Sequence, residues 1–149
     1  INRSMDYTVD LSKDNPEAVL KITYAHTATQ RDFMTKDYLS YLRVYVPQSS
    51  WLVDSKNADD LRFGEELGKK YFGFIVYVPM GETKTFEINY TLPKEIKNSE
   101  YNLKIQKQAG LKEVPVEIHL IDNLGKKDYN IKLDEDFVLG EGKNSFLTK

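Results

Sequence analysis

The sequence predicts an all-β protein: an antiparallel β-sandwich, immunoglobulin-like in the broad sense, with roughly eight or nine strands. Three observations carry this. Apolar residues recur at every second position along most of the chain, which is the period of a half-buried strand. Pro, Gly and Asn turn signals punctuate those runs at regular spacing. No amphipathic stretch is long enough to make a helix that could cover a sheet. The 149 residues, 40% hydrophobic and 30% charged, suit one domain over 1–149 with its own core, and argue against a disordered or fibrous chain.

From the N-terminus, "SMDYTVDLS" sets Met5, Tyr7, Val9 and Leu11 against Asp6, Thr8 and Asp10. "DNP" at 14–16 breaks the chain, and "EAVLKITYAH" resumes with Ala18, Leu20, Ile22, Tyr24 and His26 on one side, Lys21 and Thr23 on the other. "TATQRDFMTKDY" has no clear period and reads as a loop or a short helical turn. In "LSYLRVYVP", Leu42, Val44 and Val46 take one face and Tyr41, Arg43 and Tyr45 the other, until Pro47 ends the strand for want of a ladder donor. "SSWLVDSKNADDLRFGEELGKK" holds an apolar trio at 51–53 and then a polar stretch that reads as a long connection.

"FGFIVYVPMGETKTFEINYTLP" carries two strands. Phe72, Phe74, Val76 and Val78 alternate with Gly73, Ile75 and Tyr77; Phe86, Ile88, Tyr90 and Leu92 alternate with Thr85, Glu87, Asn89 and Thr91. "PMGET" between them is turn chemistry, with Gly81 supplying a positive φ. The two strands follow each other by a tight hairpin or by a crossing between sheets. Further strands are expected around Tyr101, Leu103 and Ile105, then at Val114, Val116, Ile118 and Leu120, and at Tyr129, Ile131 and Leu133, with "DNLGKKD" as a hairpin signal. "DFVL" and "SFL" close the chain with one more short strand.

The charge balance excludes one class of partner. Twenty-one Lys and Arg face 23 Asp and Glu, a formal charge of −2, so the chain lacks the basic excess expected of a nucleic-acid binder. No apolar run approaches the about 20 residues that cross a bilayer. The chain opens at Ile1 with no signal-peptide pattern, as a segment excised from a longer protein or a mature product would. The absence of cysteine removes disulfides, thiolate metal sites and cysteine nucleophiles, and leaves the compartment open.

Chemistry-bearing clusters are sparse. Only His26 and His119 could serve a serine–histidine system, and both fall on strands, where structural or surface roles are expected. Without Cys, His-x-His or His-Glu-x-x-His, no metal or cofactor is expected. The acid pairs Asp59/Asp60, Glu65/Glu66 and Asp134/Glu135/Asp136 read as solvated loop charge rather than as glycosidase carboxylates. "DSKNADD" offers oxygens without the spacing of a calcium loop, and "GEGK" at 140–143 reads as a turn rather than a phosphate loop. Lys21, Lys104, Asn89 and Asn130 lie in the polar phase, which disfavours an internal Lys–Asn isopeptide bond.

Tyrosine is the unusual component, ten against a single Trp. Tyr7, Tyr24, Tyr90, Tyr101 and Tyr129 fall in the apolar phase and read as core. Tyr41, Tyr45 and Tyr77 fall in the opposite phase, with Arg43 between two of them. These residues and Trp51 form a candidate ligand or partner surface, set against the simpler reading of cross-strand pairs that stabilise the sheet.

Several signatures occur in a fixed order: a strand ending in Val-Pro at 46–47, Val-Pro-x-Gly-Glu-Thr at 78–83, Tyr-x-Leu-Pro at 90–93 and Gln-Lys-Gln-x-Gly at 106–110. Together with "INRSMDYTVDL" they resemble the C-terminal β-rich portion of an uncharacterised family of bacterial membrane-anchored envelope proteins, of the domain of unknown function 4012 type. The resemblance covers the greater part of the chain and rests on turns and strand ends, so it carries no catalytic residues. It implies a larger parent anchored by an N-terminal membrane helix, with this segment outside the cell. The expectation is therefore a non-catalytic extracellular module serving presentation, spacing or protein binding at a bacterial surface. Its partners would be other domains of the parent, cell-surface proteins or glycans, with the membrane reached only through a missing anchor. The alternative is a carbohydrate-binding module that uses the tyrosine surface.

Overall fold

Alternation becomes extended backbone almost throughout the computed structural model, which describes residues 1–33, 35–94, 103–105, 113–135, 137–139 and 146–148. The strands are β1 (Asn2–Asp10), β2 (Glu17–Ala25), β3 (Tyr38–Val46), β4 (Leu52–Lys56), β5 (Asp59–Glu66), β6 (Lys69–Val78), β7 (Thr83–Thr91), β8 (Leu103–Ile105), β9 (Val114–Asp122), β10 (Gly125–Leu133), β11 (Phe137–Leu139) and β12 (Phe146–Thr148). They form a six-stranded sheet in the order β10-β9-β1-β2-β7-β4, a three-stranded sheet β3-β6-β5 and a small sheet β12-β11-β8. Among the described residues all pairings are antiparallel except β1 with β9, which run parallel with Asp6 opposite Glu117. No helix among the described residues is long and apolar enough to cross a membrane.

The inner phases meet in one core. Tyr7, Val9, Ile22, Tyr24, Phe86, Ile88, Val116 and Ile118 of the large sheet pack with Phe72, Phe74, Val76 and Val78 of β6. Rings interlock across the layers: Phe74 stacks on Phe86 at 5.9 Å between centroids, and Phe72 tilts against Tyr90 at the same distance. Phe137 of β11 is fully buried in this core, with Leu103 and Ile105 of β8 packed against it. Each such side chain contributes about 1.5–3 kcal/mol on leaving water, so the shared core holds the layers together. Set into it is a polar pair, Tyr7 with Tyr90, hydroxyls 2.8 Å apart, and burial pushes the Tyr90 phenol up to about 12.

The twelve strands among the described residues exceed the eight or nine read from the sequence, for a physical reason. The stretch read as a polar connection contains β4 and β5, both edge strands. "DDLRFGEE" faces water along one side and carries the charges that keep an edge from pairing with another chain, which hides its alternation. Asp59, Asp60, Glu65 and Glu66 are therefore strand residues, not loop acids. The tail likewise supplies two short strands rather than one.

The turns behave as their residues dictate. β6 and β7 belong to different sheets, so "PMGET" makes a crossing, not a hairpin. Glu82 N–H donates to Pro79 O, and Gly81 sits at φ 77° in the third position of a type II turn. β5 and β6 form a hairpin through Leu67 (φ 56°) and Gly68 (φ 72°), the double positive φ of a type I′ turn. "DNLG" joins β9 to β10 as a hairpin, with Leu124 N–H donating to Asp122 Oδ1.

Candidate functional site

Because β3 and β6 pair with Tyr41 opposite Ile75 and Leu39 opposite Tyr77, their outward residues form one surface. Tyr41 (44% exposed), Tyr45 (42%), Tyr77 (44%) and Arg43 all lie on it and are exposed, with Lys84 Nζ of β7 5.3 Å from the Tyr77 ring. Leu39 is 69% exposed beside them. Two glycines shape the surface. The Tyr41 ring lies over Gly73 and the Tyr71 ring over Gly64, so that a Cβ at either glycine would run into the ring. A glycine in a strand leaves backbone bare, and the neighbouring tyrosine covers it.

Arg43 ties the rings together. Its guanidinium carbon is 4.8 Å from the Tyr71 centroid and 5.7 Å from that of Tyr41. Arg43 Nη1 donates to Glu66 Oε2 at 2.8 Å, and the Tyr45 hydroxyl donates to the same oxygen at 2.9 Å. Tyr41, Arg43, Tyr71 and Ile75 line a shallow groove of about 440 Å³ with Asp60, Arg62 and Phe63. At the other end, Tyr77 donates to Asp37 Oδ2 at 2.7 Å, Met80 N–H donates to Oδ1 at 3.1 Å, and Arg31 forks onto both oxygens. The Tyr77 hydroxyl, then the Met80 amide and Arg31, hold the Asp37 carboxyl below the usual range, and Asp37 in turn raises Tyr77.

Trp51 is elsewhere. It precedes β4 in the six-stranded sheet, 72% exposed, with Lys70 Nζ 5.4 Å from its ring and its backbone bonded to Thr91. Sequence reading missed Tyr71, although the phase Tyr71, Gly73, Ile75, Tyr77 contained the signal. It missed Glu66 because β5 read as a connection.

The histidines divide. His26 is a buried pin: one ring nitrogen bonds Lys36 O at 2.9 Å, the other accepts from Ala28 N–H at 3.4 Å, and its backbone clamps Gly81 and Glu82. His119 stands on the outer face of the six-stranded sheet. Its Nδ1 is 2.6 Å from Asp128 Oδ1; its Nε2 is 3.6 Å from Asp6 Oδ2 and 3.7 Å from Glu117 Oε2. The Asp128 hydrogen bond raises His119 and lowers Asp128 from their ordinary values. Of the other candidates in "DSKNADD", Asp54 accepts from Ser55 N–H and Asp60 pairs with Arg62, while Asn57 Nδ2 donates across to Thr85 O, so these side chains do not converge on one point. Lys21, Lys104 and Asn130 are exposed, away from the burial that an isopeptide bond requires. Residues 140–143, Tyr101 and Asp136 lie outside the described residues.

No protein-family model, curated protein or solved structure matches this chain.

Proposed function

We propose that this chain is a non-catalytic β-sandwich module of a bacterial membrane-anchored envelope protein, working outside the cell, and that it binds a protein partner through the outer face of β3-β6-β5. The observation that carries the binding role is the side-by-side exposure of Leu39, Tyr41, Ile75 and Tyr77 on two paired strands, flanked by Arg43 and Arg62. Tyr and Arg are the side chains that protein interfaces favour, and an aliphatic residue as open as Leu39 gains most by being covered. The polar groups of the face are engaged with one another, Arg43 and Tyr45 on Glu66, Tyr77 and Arg31 on Asp37, which favours docking over turnover. The envelope setting is supported by the order of the Val-Pro, Gly-Glu-Thr and Tyr-x-Leu-Pro signatures.

The test immobilises the wild-type domain and a Leu39→Asp/Ile75→Asp variant, captures envelope proteins of the source cells, and titrates the purified partner against both. Binding weakened at least about tenfold in the folded variant supports the face, since one lost anchor costs that much. Equal binding overturns it. Antibody labelling of intact cells supports the extracellular setting, and labelling only after permeabilisation overturns that part.

The carbohydrate reading draws on a different observation, the Tyr41 and Tyr71 side chains packed over Gly73 and Gly64. A glycan-array signal that vanishes in Tyr41→Ala would select it.

A further inference from the structure

We propose that Asp6, Glu117 and His119 form a binding site for a divalent transition-metal ion, with zinc the best match to the ligand set. The parallel pairing of β1 with β9 creates the site. It places Asp6 opposite Glu117 and Thr8 opposite His119, so Asp6, Glu117 and His119 project from the same face of the six-stranded sheet. Their donor atoms all lie within 4.8 Å of one another.

The distances distinguish the two sides of the imidazole. Nδ1 lies 2.6 Å from Asp128 Oδ1, a separation that a shared proton fills. Nε2 lies 3.6 Å from Asp6 Oδ2 and 3.7 Å from Glu117 Oε2, too far for a hydrogen bond. Donors held at about 2.0–2.1 Å from one tetrahedral zinc ion are roughly 3.4 Å apart, so the two Nε2–carboxylate separations match an ion with a shift of a few tenths of an ångström, while the Asp6 and Glu117 oxygens, within 4.8 Å of each other, close by a side-chain rotation of up to about 1.4 Å.

Asp128 completes the chemistry. Accepting from Nδ1–H, it fixes the tautomer whose Nε2 lone pair faces the two carboxylates, which is how a carboxylate behind a ligating histidine orients and strengthens it. Thr8 Oγ1 is 3.5 Å from the other Asp6 oxygen. Two cations border the site: Lys126 stands 3.7 Å from Asp128 and opposes charge on His119, and Lys21 lies opposite Asp6 in the β1–β2 ladder. Without an ion, Asp6 and Glu117 face each other as like charges; a dication reverses that term. One imidazole with two carboxylates suits zinc or a neighbouring first-row ion better than calcium or magnesium, which take oxygen ligands in larger number. Asp6 and Glu117 also border a shallow depression of about 390 Å³ with Ser4, Lys21, Thr23 and Thr85, so the site opens to solvent there.

The test titrates chelator-treated protein with zinc chloride by calorimetry and follows imidazole ¹⁵N resonances. Wild type is expected to show one saturable site and a shift at His119 Nε2 with His26 unmoved. His119→Gln should abolish binding, and Asp6→Asn and Glu117→Gln should each weaken it at least about tenfold. Asp128→Asn should weaken zinc about 10–100-fold and redistribute the His119 tautomers before any metal is added, a signature that a merely structural aspartate would not give. Thermal melts show that each variant is folded. Absence of saturable binding to wild type overturns the proposal, as does zinc binding that survives in His119→Gln or a preference for calcium over zinc.

Discussion

The two outer faces of the sandwich obey the same alternation and carry opposite chemistry. On the three-stranded sheet the outward phase is Leu39, Tyr41, Arg43, Tyr45 on β3 and Tyr71, Ile75, Tyr77 on β6. On the six-stranded sheet it is Asp6, Thr8, Lys21, Thr23, Glu117 and His119. The inner phases are nearly interchangeable, valines, isoleucines and phenylalanines in one core. The comparison teaches that period decides which side chains face water, while composition within the outward phase decides what that face can hold: planar or apolar matter on one side, a cation on the other.

The strongest way to break the comparison is to remove what both faces share. Phe74→Ala should cost about 3–5 kcal/mol in urea unfolding, because Phe74 is fully buried against Phe86, and both faces should lose order together. Gly73→Ala should strike only the aromatic face. Its methyl displaces the Tyr41 ring and costs about 1 kcal/mol, whereas in a Tyr41→Ala background the same change should stabilise by about 0.5–1 kcal/mol, since Ala is the better strand residue once the ring is gone. A double-mutant cycle reads the change of sign, and His119 resonances should stay put. Leu67→Asn should add about 0.5 kcal/mol to stability, because Asn accepts the positive φ that Leu67 now tolerates; the firmer hairpin holds Glu66 under Arg43.

The smallest effect belongs to the acidic face and depends on pH. His119 has a raised value in the folded state, so its contribution is fully present below its ordinary value of about 6.5 and fades as pH rises through the folded value. Asp128 has a lowered value, so its contribution is present above its ordinary value of about 3.9 and is lost as pH falls through the folded one. In chelator, wild type should therefore exceed His119→Gln in Tm chiefly between about pH 4 and 6.5, and the two curves should converge on either side. A gap that widens toward alkaline pH would contradict the assignment.

What the sequence disclosed follows the same physics. Strands buried on one face advertise themselves, so Tyr7 and Val9, Ile22 and Tyr24, and Phe72 to Val78 were legible as core, and Tyr41, Arg43, Tyr45 and Tyr77 as the outward phase. β5 was not, because most positions of an edge strand such as "DDLRFGEE" are exposed and charged, and the two apolar residues that turn inward, Leu61 against the core and Phe63 against Phe72, are too few to show a period. Trp51 looked like a companion of the tyrosines because it is aromatic and near in sequence, yet the crossing to the other sheet carries it away. The Asp6–Glu117–His119 cluster was illegible for a third reason. Its members meet only through the register of β1 on β9, and pairings between the two ends of a chain leave no local trace beyond the Glu-x-His of β9.

That end-to-end register also sets the order of assembly. β1 can take β2 as a partner as soon as the first hairpin is synthesised, but its other ladder of amide and carbonyl groups waits until Val116 to Ile121 emerge. A nascent or truncated chain that stops short of β9 therefore carries an open seam along a strand whose inward residues are Met5, Tyr7 and Val9, ready to recruit another molecule. Closing the seam is a long-range, entropically slow event, so β9 acts as the clasp that covers the sticky edge of β1, and β10 then covers β9.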